Sequence, residues 1–177
     1  RPTSLILSKE QLSNWQKQVH KHQSKFFQGS RMVHEQTNLF AEVKAFDIDF
    51  FHPLNLRPLP LSFWKWPESP HAGPAIYLVM DRIENSRLPI LLYVGETVAA
   101  NRRWKGAHDC KNYLANYSAA LVNAGMENQL SIRFWSDVPQ DTRSRRNLEQ
   151  KLIQKWLPPF NKETRLRWNT PFTSDIS

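Results

Sequence analysis

Three stretches rich in apolar residues predict the strands of one small sheet. The first two, AIYLVM at residues 75–80 and ILLYVG at 90–95, flank a short polar loop, which is typical of an antiparallel hairpin. The third, LSIRFW at 130–135, alternates as a half-buried strand does. The pattern therefore predicts a small sheet that contains at least one antiparallel pair.

A helix is predicted before the strands, over residues 8–27. It begins with Ser8 and Gln11, which have the spacing of a capping box. Lysines recur on one side of this segment and apolar residues on the other, so we expect an amphipathic helix packed on the domain instead of a helix that touches DNA. The apolar positions at helical spacing are Leu12, Trp15, Val19 and Phe26.

Three further helices are predicted after the hairpin. Thr97 is expected to cap a short helix that ends near residue 104, and Asp109 to cap a longer one that stops at Gly125. After the third strand, Asp141 is expected to cap a last helix, which a pair of prolines ends. The predicted buried positions are Leu114, Tyr117 and Leu121 on the first long helix and Leu148, Leu152, Ile153 and Trp156 on the last.

The order of these elements predicts an α+β fold, with a small, mainly antiparallel three-stranded sheet flanked by helices. A proline-rich connector at 51–74 precedes the sheet and cannot form a regular element. We expect it to lay Phe63, Trp64 and Trp66 on the core. The predicted organisation is an N-terminal helical and proline-rich extension (1–72), a catalytic domain (73–163) and a C-terminal tail (164–177).

Composition is that of a globular protein, with 40% hydrophobic and 23% charged residues. The sequence contains no apolar run near the ~18 residues that a membrane helix needs and no visible signal peptide, so no membrane partner is expected. The one cysteine, Cys110, excludes an internal disulfide and fits an intracellular, cytoplasmic setting. With no cysteine or histidine partner at zinc-binding spacing, Cys110 is interpreted as a buried, inert thiol.

Positive charge is concentrated in the C-terminal part of the chain. The net charge is +8, and residues 101–177 hold 13 Lys and Arg against 7 Asp and Glu. Such a surplus favours polyanions such as nucleic acids as partners, although a solvated basic face would explain the charge equally well. The residues that predict salt-sensitive binding are Arg143, Arg145, Arg146, Lys151, Lys155, Arg165 and Arg167.

Six residues with polar side chains lie on these predicted elements or directly after them. Two tyrosines have the same place in the hairpin strands, an arginine and a histidine follow the second strand, a glutamate lies on the last helix, and an asparagine follows its proline stop. Each alone is better explained as a core, capping or surface residue. Together they supply what attack on a phosphodiester with one metal ion requires. The six are Tyr77, Tyr93, Arg103, His108, Glu149 and Asn161.

At these residues the chain resembles the GIY-YIG nuclease family. AIY at 75–77 matches the family's first motif, YVG at 93–95 its second, and Arg103 with His108 its helix signature. LEQKLIQKWLPPFN at 148–161 resembles its C-terminal signature. Four motifs in the right order, each on the predicted element, are a far stronger signal than any one of them. Ala75 replaces the usual first glycine, and two segments are longer than in a minimal domain of the family.

The resemblance implies that Glu149 holds one divalent cation, Mg²⁺ or Mn²⁺. Mg²⁺ binds proteins through one or two carboxylates and completes its shell with waters and substrate phosphate, so a lone glutamate suffices. The resemblance also implies that Arg103 clamps the scissile phosphate, since its planar donors match phosphate oxygens.

Proton transfer is assigned to the tyrosines and the histidine in the same way. Tyr77 is the first choice to take the proton from water, with Tyr93 orienting the water or phosphate and His108 accepting or relaying the proton. A free tyrosine has a pKa of about 10, so Tyr77 needs a nearby cation; without one, His108 becomes the base. Asn161 is expected to fix the site by hydrogen bonding.

These assignments predict a DNA endonuclease that leaves 5′-phosphate and 3′-hydroxyl ends. A restriction-type enzyme is the first choice, and a homing or structure-specific repair nuclease remains an alternative. A palindromic target would need two active sites, hence a homodimer on DNA or two successive nicks. A different class also remains open, a nucleic-acid-binding module that has kept the scaffold and lost catalysis.

Overall fold

A computed structural model describes residues 7–36, 47–49, 51–106 and 108–173, without the side chains of 28–36. The strands are β1 (Ala75–Asp81), β2 (Ile90–Thr97) and β3 (Leu130–Trp135). The helices are α1 (Lys9–Gln36), α2 (Ala100–Arg103), α3 (Asp109–Asn123) and α4 (Thr142–Trp156). Short 3₁₀ helices cover Pro53–Asn55, Phe63–Lys65, Arg165–Trp168 and Pro171–Thr173.

The three strands form one antiparallel sheet in the order β2-β1-β3, so the predicted fold class is confirmed. Tyr77 lies opposite Gly95 on β2 and Phe134 on β3. The register between β1 and β2 shifts by one residue next to Val79, which is the signature of a β-bulge. The connector adds a single bridge, in which Leu59 pairs with Ile132 at the free edge of β3.

Each face of the sheet is covered by a separate hydrophobic cluster. The face that carries Tyr77, which we call the tyrosine face, packs against α3 and the first half of α1. The opposite face, which carries Leu78 and Val94, packs against α4 and Phe27. The residues of α3 and α4 that the sequence predicts to be inward are all buried, because both helices are amphipathic.

Several predictions about helix ends are confirmed and two are wrong. Ser8 and Gln11 form the expected capping box, and the Asp141 side chain accepts the Ser144 N–H at the start of α4. The residue that caps α3 is His108 instead of Asp109. Thr97 caps no helix, because it still belongs to β2 and its hydroxyl accepts the Ala99 N–H ahead of α2.

The connector and the C-terminal segment both contribute side chains to the core. Phe63 is buried as expected and Trp64 is half-buried, but Trp66 is 39% exposed, so its predicted core position is wrong. Phe172 is buried and its ring contacts Trp15 on α1 and Tyr117 on α3. Parts of the predicted extension and tail, residues 1–6, 37–46 and 174–177, lie outside the described residues.

Side chains occupy the outer edge of β2, which no further strand of the described residues covers. The Gln23 amide donates to the Leu91 and Trp156 carbonyls and accepts the Leu91 N–H. The Asn161 amide does the same at Val94, donating to its carbonyl at 2.8 Å and accepting its N–H at 3.0 Å. These amides satisfy backbone groups that an edge strand would otherwise expose. No helix in the described part of the chain is long and apolar enough to cross a membrane.

Candidate active site

Tyr77 lies flat against Gly95, its partner on β2. A Cβ added at Gly95 would lie 2.2 Å from Cζ and 2.3 Å from the hydroxyl oxygen of Tyr77, far inside van der Waals contact. Only glycine therefore allows the Tyr77 ring to cross β2 at this point. Tyr93 lies two residues from Gly95 on the same face, and its ring stacks on that of Tyr77 with centroids 6.0 Å apart.

His108 joins the tyrosine pair from the start of α3. Its Nδ1 accepts the Cys110 N–H at 3.0 Å, and its Nε2 lies 2.8 Å from the Tyr77 hydroxyl. Because Nδ1 is an acceptor, the proton of the neutral ring belongs on Nε2, which donates to Tyr77. Burial and the charge of Arg103 lower the pKa of His108 to about 4, so the ring is neutral at pH 7. Neither ring nitrogen then has a free lone pair.

Arg103 brings positive charge to the same hydroxyl. It ends α2, is half-buried and lies close enough to the Tyr77 hydroxyl to act on its pKa. Burial raises the pKa of Tyr77, the neighbouring Tyr93 raises it further, and Arg103 opposes both. Burial also raises the pKa of Tyr93, and Arg103 again acts against the shift. The phenols are protonated in the ligand-free site, and further positive charge would be needed to ionise them.

Glu149 lies on α4, which is across β2 from the tyrosines. Its carboxylate is half-buried and close enough to raise the pKa of Tyr93. Burial raises the pKa of Glu149 to about 7, the charges of Glu96 and Glu163 act in the same direction, and hydrogen bonds from Gln150 and the Glu96 backbone act against it. The Glu149 carboxylate is thus held at the edge of β2. It is the third side chain along this edge that contacts the strand backbone, after those of Gln23 and Asn161.

Glu96 is fixed by two arginines and is therefore not free to turn toward Glu149. The Arg145 guanidinium, which is fully buried, donates to its carboxylate at 2.9 Å and Arg146 donates at 3.2 Å. Arg145 also donates to the Pro139 and Gln140 carbonyls ahead of α4. This ion pair ties the end of β2 to the start of the helix that carries Glu149.

Glu149 is the residue of this site that could hold a metal ion. Among the described residues, no group of three His, Cys, Asp or Glu side chains could hold an ion. Burial, and then the charges of Glu96 and Glu163, disfavour the charged form of Glu149, and a bound cation would favour that form. A single half-buried carboxylate could supply one ligand to Mg²⁺, which completes its shell with waters and, where present, phosphate oxygens.

The structure thus brings five of the six predicted residues to one site and gives the sixth a supporting position. Asn161 is 4% exposed, and its amide hydrogen-bonds to the Val94 backbone at both ends. Sequence reasoning missed the ion pair of Glu96 with Arg145 and the role of Gln23. The only sequence signal for the ion pair is a charged residue at a strand end, and for Gln23 a polar residue on the apolar side of α1.

Comparisons with protein-family models, with curated proteins and with solved structures find no match to this chain. The resemblance to GIY-YIG nucleases therefore rests on the sequence motifs of this chain alone.

Proposed function

We propose that this protein is a divalent-metal-dependent DNA endonuclease of GIY-YIG type, with restriction-type cleavage as its first candidate role. The observation that carries the proposal is the convergence of His108 and Arg103 on the Tyr77 hydroxyl, with the Glu149 carboxylate beside Tyr93. Cationic, phenolic and carboxylate groups directed at one partly open point suit a phosphodiester. A purely structural network would instead be closed.

Arg103 would bind two oxygens of the scissile phosphate, and its fixed charge would stabilise the negative charge that develops during attack. Glu149 would hold Mg²⁺ or Mn²⁺, which supplies charge neutralisation for the phosphate and the leaving oxygen. Tyr93, next to both Tyr77 and Glu149, would orient the attacking water. These roles place nucleophile and phosphate on the tyrosine face at the outer edge of β2.

Tyr77 is the better candidate for the base, and His108 for the residue that supports it. Because His108 uses Nδ1 to cap α3 and Nε2–H to donate to Tyr77, it has no lone pair for a water proton. Its N–H, together with Arg103, would stabilise the Tyr77 phenolate, the form that accepts a proton. The burial that raises the pKa of Tyr77 is then offset only when substrate and cation are bound.

Incubation of supercoiled plasmid with the protein in Mg²⁺ and in EDTA tests the proposal. We expect nicked or linear product in Mg²⁺ only, with ends that DNA ligase rejoins, as 5′-phosphate and 3′-hydroxyl ends require. Glu149→Ala should abolish product, whereas Glu127→Ala, which removes an exposed carboxylate at the end of β1 opposite Tyr77, should not. Discrete fragments would support restriction-type cutting.

Failure of every metal and DNA form to give product would refute the nuclease. Salt-sensitive DNA binding that Glu149→Ala leaves unchanged or tightens would then favour a catalytically silent binding module. A linear product without a nicked precursor would support two active sites acting together, as a homodimer on DNA would provide.

A further inference from the structure

A shallow apolar groove adjoins the candidate active site. It has a volume of about 320 Å³ and lies between the connector, α3 and the residue that follows α2. Two indoles, Trp64 and Trp104, line it together with aliphatic side chains such as Leu61 and Leu114. Trp64 is half-buried, so part of its ring faces the groove, whereas Trp104 is 3% exposed and forms the floor.

Positive charge lies at the mouth of this groove. The Lys111 ammonium is 5.4 Å from the ring centroid of Trp64 and 5.8 Å from that of Trp104. Lys65 is 5.3 Å from the Trp64 ring on the connector side. Burial and the charge of Arg103 lower the pKa of Lys111, and among the described residues no carboxylate forms an ion pair with it. An anion at this position would relieve the repulsion between Lys111 and Arg103.

The groove and the site share a wall. The Trp104 ring is 5.1 Å from that of His108 and 5.7 Å from that of Tyr77, measured between centroids. A strand whose phosphate is bound by Arg103 would therefore bring its neighbouring nucleotide to the groove. Flat apolar walls next to a cation are the features that bind an unstacked base together with its phosphate.

We infer that the groove between Trp64 and Trp104 takes one unpaired nucleobase of the DNA, next to the scissile phosphate, while Lys111 contacts the phosphate of that nucleotide. The inference rests on the proposed function for the identity of the substrate and goes beyond it. It assigns the substrate a distorted or single-stranded position beside the cut, because a base inside a duplex is stacked on its neighbours and cannot enter a protein groove.

The test measures DNA binding without cleavage, using protein in EDTA. The probes are a short oligodeoxythymidylate, a strand of the same length with central abasic sites, and a fully paired hairpin. Trp64→Leu keeps an apolar side chain in the groove and removes the flat ring. Trp66→Leu is the matched control, because Trp66 is exposed, lies two residues away and is not part of the groove.

Trp64→Leu should weaken binding of the thymidylate strand about tenfold or more, the loss typical of one stacking residue. It should leave the abasic strand and the hairpin unchanged, since neither presents an unpaired base. Trp66→Leu should leave all three probes within about twofold of the original protein. Lys111→Gln should weaken the thymidylate and abasic strands equally and lower their salt dependence, because it removes a phosphate contact and leaves the indoles in place.

Equal binding of the thymidylate strand by Trp64→Leu and the original protein would overturn the inference, as would equal losses for the abasic strand. If Trp64→Leu fails to fold, Lys111→Gln still tests the inference. An unchanged salt dependence of DNA binding in Lys111→Gln would also overturn the inference. The plasmid assay separates the two proposals. If the protein cleaves plasmid but Trp64→Leu has no base-dependent effect on binding, only the proposed role of the groove is contradicted. If Trp64→Leu has that effect but no plasmid is cleaved, only the proposed nuclease activity is contradicted.

Discussion

Two tyrosine hydroxyls on the same side of the sheet are built into different networks. Near the start of β1, Tyr77 meets His108, which begins α3. At the other end of β1, Tyr117 from the middle of α3 donates its O–H to the Asp81 carboxylate. The Gln16 amide donates to the Tyr117 oxygen at 2.7 Å, and the Gln129 N–H donates to Asp81 at 2.8 Å.

The Asp81 network is closed and the Tyr77 network is open. Asp81 and Tyr117 have no exposed surface, and the interactions that set the pKa of Asp81 are burial and two hydrogen bonds, with no cation among them. Tyr77 is itself only 1% exposed, but its neighbours Tyr93, Arg103 and His108 are half-buried and reach the surface. A closed network stabilises the fold, whereas an open one with unbalanced charge can bind a substrate.

The largest effect should come from Gly95→Ala. The new Cβ would overlap the Tyr77 ring, which must move out of the site. We expect loss of detectable cleavage. We also expect a decrease of about 1–3 kcal/mol in the free energy of unfolding, which is the usual cost of overpacking a protein core. Plasmid assays and urea unfolding measure the two. Gly73→Ala is the control, because its Cβ would meet no atom within 4 Å. Full activity in Gly95→Ala would contradict this geometry.

Arg103→Gln should follow, with a decrease in cleavage rate of about 10²–10³-fold at saturating metal, the usual cost of removing one group that stabilises charge in the transition state. Arg102→Gln removes the same charge one residue earlier, at an exposed position, and should change the rate only severalfold. Similar losses in the two variants would mean that general attraction of DNA, and not a contact to the scissile phosphate, explains the effect.

His108→Asn should have a smaller effect. Asparagine can still cap α3, so stability should be retained, but it cannot reach the Tyr77 hydroxyl. We expect a rate loss below the roughly 10²–10⁴-fold that a general base contributes. At saturating Mg²⁺, which would keep Glu149 ionised, the rate of the original protein should also rise with pH through neutrality as the ionised fraction of Tyr77 increases. A histidine base with the lowered pKa of His108, about 4, would instead give a flat profile above about pH 5.

Asp81→Asn should remove the pH dependence of stability that the Asp81 carboxyl causes. Burial raises the pKa of Asp81 from 3.8 to about 6. Between these values the unfolded chain loses the proton that the folded chain keeps, so the free energy of unfolding falls as pH rises and is constant above about pH 6. Relative to Asp81→Asn, the original protein should lose up to about 3 kcal/mol of its free energy of unfolding as the pH rises across this window. Urea unfolding of both proteins at the two ends of this pH window measures the loss. A difference in free energy of unfolding that does not change with pH would contradict the raised pKa of Asp81.

Local sequence signals explain most of the fold. Apolar runs predict all three strands because a small sheet covered on both faces must bury them. The capping box at Ser8 and the cap at Asp141 are local patterns, and both are correct. The predicted cap of α3 is one residue too late: Asp109 is the commoner capping type, but the His108 side chain accepts the Cys110 N–H.

The supporting contacts of the site could not be predicted because they join residues far apart in the chain. Gln23 meets Leu91 and Trp156, and Arg145 meets Glu96, without any local pattern that pairs them. Trp66 shows the opposite failure. Its apolar character predicts burial, but the 3₁₀ helix over Phe63–Lys65 buries Phe63 and turns Trp66 outward. Motif order indicated the site residues, and only tertiary structure gives their hydrogen bonds.

The same substitution in both networks tests the account most directly. Tyr77→Phe and Tyr117→Phe each remove one hydroxyl, and plasmid cleavage and thermal unfolding are measured on both. We predict that Tyr77→Phe stays folded but loses cleavage, with a smaller decrease in Tm than Tyr117→Phe because His108 is only half-buried. Tyr117→Phe should keep its cleavage rate but lose about 1–3 kcal/mol of stability, or about 2–4 °C in Tm per kcal/mol, because Asp81 loses a buried partner. Cleavage that survives in Tyr77→Phe, or is lost in a folded Tyr117→Phe, would contradict the account.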